Sequence, residues 1–462
     1  MGTTFIRKDF SEAEPAQKRS AGMKYGPSRA AHRSLLYALG LTDEELDRPF
    51  IAVVNSYNDI VPGHKHLREI AEEVKAGVRM AGGVPFEFPA IAVCDGLAMN
   101  HNGMRYSLVS RDYIADSCEI MLTAHLFDGV VFIPNCDKVV PGMLMAAARM
   151  NLPSIFVSGG PMLPGETPLG DMGLNEVFEA VGAHSLGKIT DEMLGQVETS
   201  ACPGCGSCSG MYTANTMNCL TEAMGMGLPG NGTVPAMMAD RRRLAKHAGM
   251  KVLELVEKQI KALDIMNETS IKNAMAMDMA LGGSTNSVLH MLAISREAGY
   301  PLTLAEIGEI TDHTPQLVKL NPASRDYIID LQKEGGISAV FAQLAKAGLV
   351  DPTAKTVDGT MQDRIDKAKF FKPGILHSIE NPVSPDGGLA VLYGNLAPMG
   401  CVVKKGAVLP EMLVSEGRAR VFEGEEAAID AIFGGEIVPG DVVVIRFEGP
   451  AGGPGMREML SP

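Results

Sequence analysis

The feature that most restricts the fold is an alternation between residues 50 and 160, where short apolar runs rich in β-branched residues take turns with amphipathic stretches. Ile51 to Val54, Ala90 to Val93, Val130 to Ile133 and Ile155 to Val157 read as strands. Between the first two, Leu67, Ile70, Ala71, Val74 and Val78 recur at helical spacing and mark one face of a helix. Strands that alternate with helices predict a parallel α/β sheet, because parallel neighbours need a long crossover connection.

From about residue 210 to 350 the pattern is mostly helical, including Leu244 to Leu263 and the segment after Gly282, Gly283, Ser284, Thr285 and Asn286, whose polar side chains suit a helix N-cap. After Pro373 the character changes to short apolar strands such as Leu389 to Tyr393 and Val442 to Phe447, separated by Gly and Pro turns. A chain of 462 residues is too long for one ordinary core. The expected division is an α/β domain over 1–370 that carries the chemistry, and a β-rich domain over 371–462.

Hydrophobic residues at 46% and charged residues at 21% fit a protein with a large buried interior. A formal charge of −14 repels nucleic acid and anionic membrane surfaces at long range, so neither is an expected partner. The first 25 residues mix both charge signs around no apolar core, unlike a secretory signal, and no later run is long and apolar enough to span a membrane. The cytoplasm is the expected compartment. There, the eight cysteines are expected as thiols or metal ligands rather than disulfides.

The strongest chemical signal is Cys202-Pro-Gly-Cys205-Gly-Ser-Cys208, in which three thiols crowd into a short glycine-containing run and several sulfurs can approach one metal centre. Tyr212 stands where a ferredoxin-type run has its fourth cysteine, so a remote cysteine completes the set or one iron stays open. The rival reading is a structural zinc site or inert thiols. Cys94 and Cys136 each follow an expected strand, where open α/β sheets gather their ligands. Cys118, Cys219 and Cys401 lack that placement and read as core residues.

Both strand-end cysteines precede a carboxylate, in Cys94-Asp95-Gly96 and Cys136-Asp137-Lys138. Neighbouring side chains in extended backbone point to opposite sides, so one stretch offers sulfur to a soft metal and oxygen to a hard one. A surface ion pair is the plainer reading of Asp137-Lys138 taken alone. Lys138 lies just before an expected helix start at Pro141 and Gly142; among metals its ammonium is unfavourable, which points to modification or a neutral state. Glycine-rich segments at Ser158–Pro161, Pro229–Thr233 and Gly449–Gly455 are either turns or backbone cradles for an anion. His64 and His66 read as capping or core residues.

The segments NSYNDIVPGHKHL (55–67), CDGLAMNHNGMRYSL (94–108), NCDKVVPGMLMA (135–146), ACPGCGSCSGMYTANTMNCLTEA (201–223), LGGSTN (281–286) and GGPGMREML (452–460) resemble dihydroxy-acid dehydratases, a family that also contains sugar-acid dehydratases. The resemblance implies a three-layer α/β domain followed by a β-barrel-like domain, and a homodimer or dimer of dimers. It implies Cys136 and Cys208 as iron-sulfur ligands, with the third ligand among Cys205, Cys94 and Cys202, of which Cys205 and Cys94 are the leading candidates. It also implies Asp95, Asp137 and Glu458 as magnesium ligands or near ligands, and a carbamylated Lys138 that reaches the magnesium. Members with a 2Fe-2S cluster have a cysteine where this chain has Gly63, so a 4Fe-4S cluster is expected. The implied reaction removes water from a small 2,3-dihydroxy acid. Magnesium holds the carboxylate and 2-hydroxyl, an open iron takes the 3-hydroxyl, and the enol becomes a 2-oxo acid. The family's base is a serine in a segment downstream of the REML motif; it is expected beyond Pro462, so little turnover is expected of the sequence as it stands.

Overall fold

The computed structural model describes residues 18–368, 374–449 and 457–459. Four strands, β1 (Phe50–Asn55), β2 (Val84–Pro89), β3 (Gly129–Ile133) and β4 (Ser154–Phe156), form a parallel sheet in the order β2-β1-β3-β4. Ile51 of β1 lies opposite Pro85 of β2 and Gly129 of β3. Every residue of β1 and β3 is buried, so both faces of the sheet are covered, and this is why these strands read as unbroken apolar runs.

The helices used below are α1 (Leu67–Met80), α2 (Arg105–Ala124), α3 (Val139–Met150), α4 (Thr213–Ala223), α5 (Ala239–Lys258), α6 (Glu268–Leu281) and α7 (Thr285–Glu297). The apolar stripe Leu67, Ile70, Ala71, Val74 and Val78 is the buried face of α1, which lies with α5 against the sheet. Helices α2 and α3 pack together at Gly142, where a Cβ would stand 2.6 Å from the Arg111 carbonyl oxygen. Only glycine permits this approach, and the approach brings the start of α2 beside the start of α3.

Two expectations shift in register. The second strand is Val84–Pro89, and Ala90 to Val93 follow it as irregular chain. β2 pairs only with β1, and such an edge position tolerates Pro85 and Pro89. The helix expected over Leu244 to Leu263 stops at Lys258, because Gln259 takes a left-handed conformation with φ of 54°.

The boundary expected near 370 falls on residues 369–373, outside the described residues. Beyond it, β5 (Ala390–Leu392) and β6 (Cys401–Val403) pair antiparallel, while β7 (Arg418–Glu423) and β8 (Asp441–Arg446) pair parallel on either side of α8 (Glu425–Phe433). Residues after 373 thus carry small two-stranded sheets among the described residues. No described helix is long and apolar enough to cross a membrane.

Candidate metal centre

The centre lies beyond the carboxyl ends of β2 and β3, as open α/β sheets place their ligands. Pro134 to Lys138 link β3 to α3, and the Asn135 side chain organises what surrounds them. Its Nδ2 donates to the carbonyls of Gly63 at 2.7 Å and Gly160 at 3.1 Å, while its Oδ1 accepts from the Gly160 N–H at 2.9 Å and from Asn218 Nδ2 at 3.2 Å. Two loops and α4 are thereby pinned around Cys136. Sequence reasoning passed over Asn135, although an amide side chain directly before a Cys-Asp pair was a signal. Cys94 sits at the N-cap of a single helical turn, Asp95–Ala98, and is reached from β2 through the irregular stretch rather than directly from a strand.

One carboxylate oxygen from each of Asp95, Asp137 and Glu458 lies within 4.8 Å of the other two. Lys138 Nζ donates to Asp95 Oδ2 at 2.6 Å and to Glu458 Oε1. Ser107, in the first turn of α2, donates to Asp95 Oδ1. Burial and the neighbouring Asp95 carboxylate push Asp137 up to about 7, against the pull of Lys138 and a hydrogen bond from Thr213 at the start of α4. The sequence expectation for Lys138 thus becomes concrete: its side chain is buried between two acids instead of lying in an exposed ion pair.

The thiols meet the same electrostatic problem. Burial raises Cys136, and the nearby Asp137, Cys94, Asp95 and Cys208 raise it further. Cys208 is raised by burial and then by Asp137, Cys202, Cys94 and Asp95. Cys205 Sγ lies 3.2 Å from Met237 Sδ. A Cβ at Gly63 would stand 2.9 Å from Cys136 Sγ, so that position opens directly onto this thiol. Acids and thiols that raise one another are crowded here, with Lys138 bonded to Asp95 and Glu458 and to none of the thiols. A bound cation would relieve that crowding, and deprotonated sulfur and carboxylate oxygen are the ligands that iron and magnesium accept. The residues fit both groups.

Cys118 and Cys219 are buried core residues as expected. Cys401 is exposed, contrary to expectation, because its two-stranded sheet is too small to cover it. His64 and His66 are structural, with ring nitrogens 2.6 Å from the Ser56 carbonyl and 2.9 Å from the Gly159 carbonyl; burial holds His64 down to about 4. His290, on α7, was not singled out from sequence; burial and the nearby Lys138 and Arg111 hold it well below its usual range.

The glycine segments resolve as turns whose N–H groups are already used. Ser158 N–H bonds Asn231 Oδ1, Gly159 N–H bonds the Pro134 carbonyl, and Gly160 N–H bonds Asn135. The N–H groups of Gly230 and Gly232 bind the two oxygens of Glu222, an anion supplied by the chain itself. The third segment lies almost wholly outside the described residues.

Cys94, Cys136, Cys202, Cys205 and Cys208, with Asp95, Asp137 and Glu458, line one cavity of ≈ 1330 Å³. Its walls also include the apolar Met162, Leu174, Phe178 and Met237, and the polar turn Ser284-Thr285-Asn286 that begins α7. Arg242 and Arg457 border it with their charge engaged, Arg242 by Glu69 at 3.3 Å and Arg457 by Glu426 at 2.6 Å.

Two family profiles match the chain: the dihydroxy-acid/6-phosphogluconate dehydratase N-terminal profile over residues 48–364 and its C-terminal counterpart over residues 374–462. A dihydroxy-acid dehydratase from Moorella thermoacetica is 60% identical over 445 residues, covering 96% of this chain and 81% of the relative. Dihydroxy-acid dehydratases from Acetivibrio thermocellus and Caldanaerobacter subterraneus are each 61% identical, covering 96% of this chain and 80% of theirs.

Proposed function

The chain belongs to the dihydroxy-acid/6-phosphogluconate dehydratase family, and from that premise we propose that it removes water from 2,3-dihydroxy-3-methylbutanoate and 2,3-dihydroxy-3-methylpentanoate to give the 2-oxo acids of valine and isoleucine biosynthesis. It is a hydro-lyase, and its family implies a metal or iron-sulfur cofactor. The observation that carries the reading is the meeting of Asp95, Asp137 and Glu458 within 4.8 Å, in the cavity that also gathers the cysteines.

In this reading Cys136 and Cys208, with a third thiol from Cys94 or Cys202, hold a 4Fe-4S cluster, and Asp95, Asp137 and Glu458 hold Mg2+. Cys94 and Cys202 are favoured over Cys205 because both press electrostatically on Cys208, whereas Cys205 turns to Met237. When bound, the two groups supply Lewis acidity at the departing 3-hydroxyl and at the carboxylate and 2-hydroxyl of the substrate. The chain's own part is positional. Ser107 orients Asp95, and Lys138 bridges Asp95 and Glu458. A carbamate on Lys138, formed when its neutral amine attacks CO2 and loses a proton, would add an oxygen ligand there. Leu174, Phe178, Met162 and Met237 offer an apolar wall for a branched alkyl group. Assembly as a homodimer or dimer of dimers belongs to the same proposal.

Titrating the iron- and magnesium-loaded chain with 2,3-dihydroxy-3-methylbutanoate, gluconate, arabinonate and 6-phosphogluconate tests the substrate. Tighter binding of the branched acid is expected. Preference for a sugar acid would replace this substrate with a polyhydroxy one. Sedimentation checks the assembly, and a monomer would refute it.

A further inference from the structure

Glu458 is the carboxylate of the centre that comes from far along the chain, and it follows Gly449 to Gly455, a run with no side chain larger than proline. Its neighbour Arg457 is anchored by side-chain contacts. The Arg457 side chain is 3% exposed and surrounded by acids. Nη1 and Nη2 donate to the two oxygens of Glu426 at 2.6 and 2.8 Å, and Nε and Nη2 donate to the two oxygens of Glu448 at 3.1 and 2.5 Å. Two bidentate pairs on one guanidinium fix both its position and its plane. Glu425 adds a third carboxylate, 3.4 Å from Nη1.

This network is tied to the other half of the centre. Glu448 Oε1 accepts the backbone N–H of Glu425 at 3.1 Å, at the start of α8. Glu448 Oε2 lies 3.3 Å from Arg105 Nη2, and Arg105 is the first residue of α2. Ser107, two positions on, donates to Asp95. A single helical turn therefore touches Asp95 directly and Glu458 through Glu448 and Arg457.

We infer that Arg457 is a positioning residue, which holds Glu458 in register with Asp95 through the Glu426, Glu448 and Arg105 network. The inference rests on the proposed metal site. Residues that orient metal ligands change metal affinity by about 10- to 100-fold when removed. They do so without touching the ion.

The test is a Mn2+ titration of the cluster-loaded full chain, followed by electron paramagnetic resonance, for the parent, Arg457→Gln, Glu458→Gln and the double variant. Arg457→Gln is expected to weaken Mn2+ by about 10- to 100-fold and to change affinity little once Glu458 is already Gln. Such non-additivity marks action through Glu458. Arg457→Lys, which keeps the charge but not the paired geometry, is expected to fall between, and it serves as the readout if Arg457→Gln fails to fold. Unchanged affinity in Arg457→Gln or Arg457→Lys, or an equal further loss in the Glu458→Gln background, overturns the inference and leaves the metal site standing. Unchanged affinity in Glu458→Gln overturns the metal site and the inference with it.

Discussion

Replacing Lys138 by methionine decides the sign of the charge that this residue brings to the centre. Lys138 is 3% exposed, its Nζ is 2.6 Å from Asp95 Oδ2, and it also bonds Glu458. As an ammonium it would compete with a divalent cation for those oxygens. As a carbamate it would add a negative ligand. Unit charges about 4 Å apart interact by roughly 4 kcal/mol at an effective dielectric near 20. Relaxation and water reduce this, so an effect of about 10- to 100-fold in affinity is the reasonable scale. The direction is the informative part: removal weakens cation binding if Lys138 is carbamylated and strengthens it if Lys138 is an ammonium. We expect Mn2+ affinity in Lys138→Met to fall by about 10- to 100-fold. In the parent it should rise with added bicarbonate, and in the variant it should not. Equal or tighter binding in Lys138→Met would refute the carbamate and leave the residue as a counterion.

Other consequences are measurable separately. Cys136→Ser and Cys208→Ser should lose the iron of the anaerobically reconstituted chain, whereas Cys205→Ser should keep it; iron retained in the first two would remove them from the ligand set. Burial pushes Asp278 up to about 7 from 3.8, although Ser287 donates to it and Lys404 faces it. Its folded form therefore holds its proton more tightly than the unfolded chain, so its contribution to stability is full below pH 3.8 and is lost as pH rises to about 7. Asp278→Asn should flatten that loss, on the order of 2–4 kcal/mol in urea unfolding, and parallel profiles would contradict it. Gly142→Ala should cost about 1–3 kcal/mol, because the new methyl meets the Arg111 carbonyl; an unchanged unfolding midpoint would mean that α2 and α3 can separate freely.

What was legible depended on whether the cause was local. β1 and β3 could be read because strands covered on both faces are continuous apolar runs, and α1 because its buried stripe repeats at helical spacing. β2 escaped because Pro85, Glu87 and Pro89 interrupt it, which only an edge position allows. Within the centre, Asp95 and Asp137 stood out through their adjacent cysteines. Glu458 rested on family resemblance alone, since nothing around it in sequence signals a metal. Ser107, Asn135 and Arg105 act on partners brought near by the packing of the chain, and their local sequence shows ordinary helix and loop residues. Spacing also treated the three thiols of Cys202 to Cys208 alike. In the fold Cys205 Sγ lies against Met237 Sδ, while Cys208 comes near Asp137.

The central claim is that one cavity joins an iron-sulfur cluster to a carboxylate-held cation. It is tested most directly by purifying the chain without oxygen and counting iron, acid-labile sulfide and zinc. Iron and sulfide near about four each per chain, with little zinc, is the expected result. Stoichiometric zinc without sulfide would contradict it and return the cysteines to a structural role.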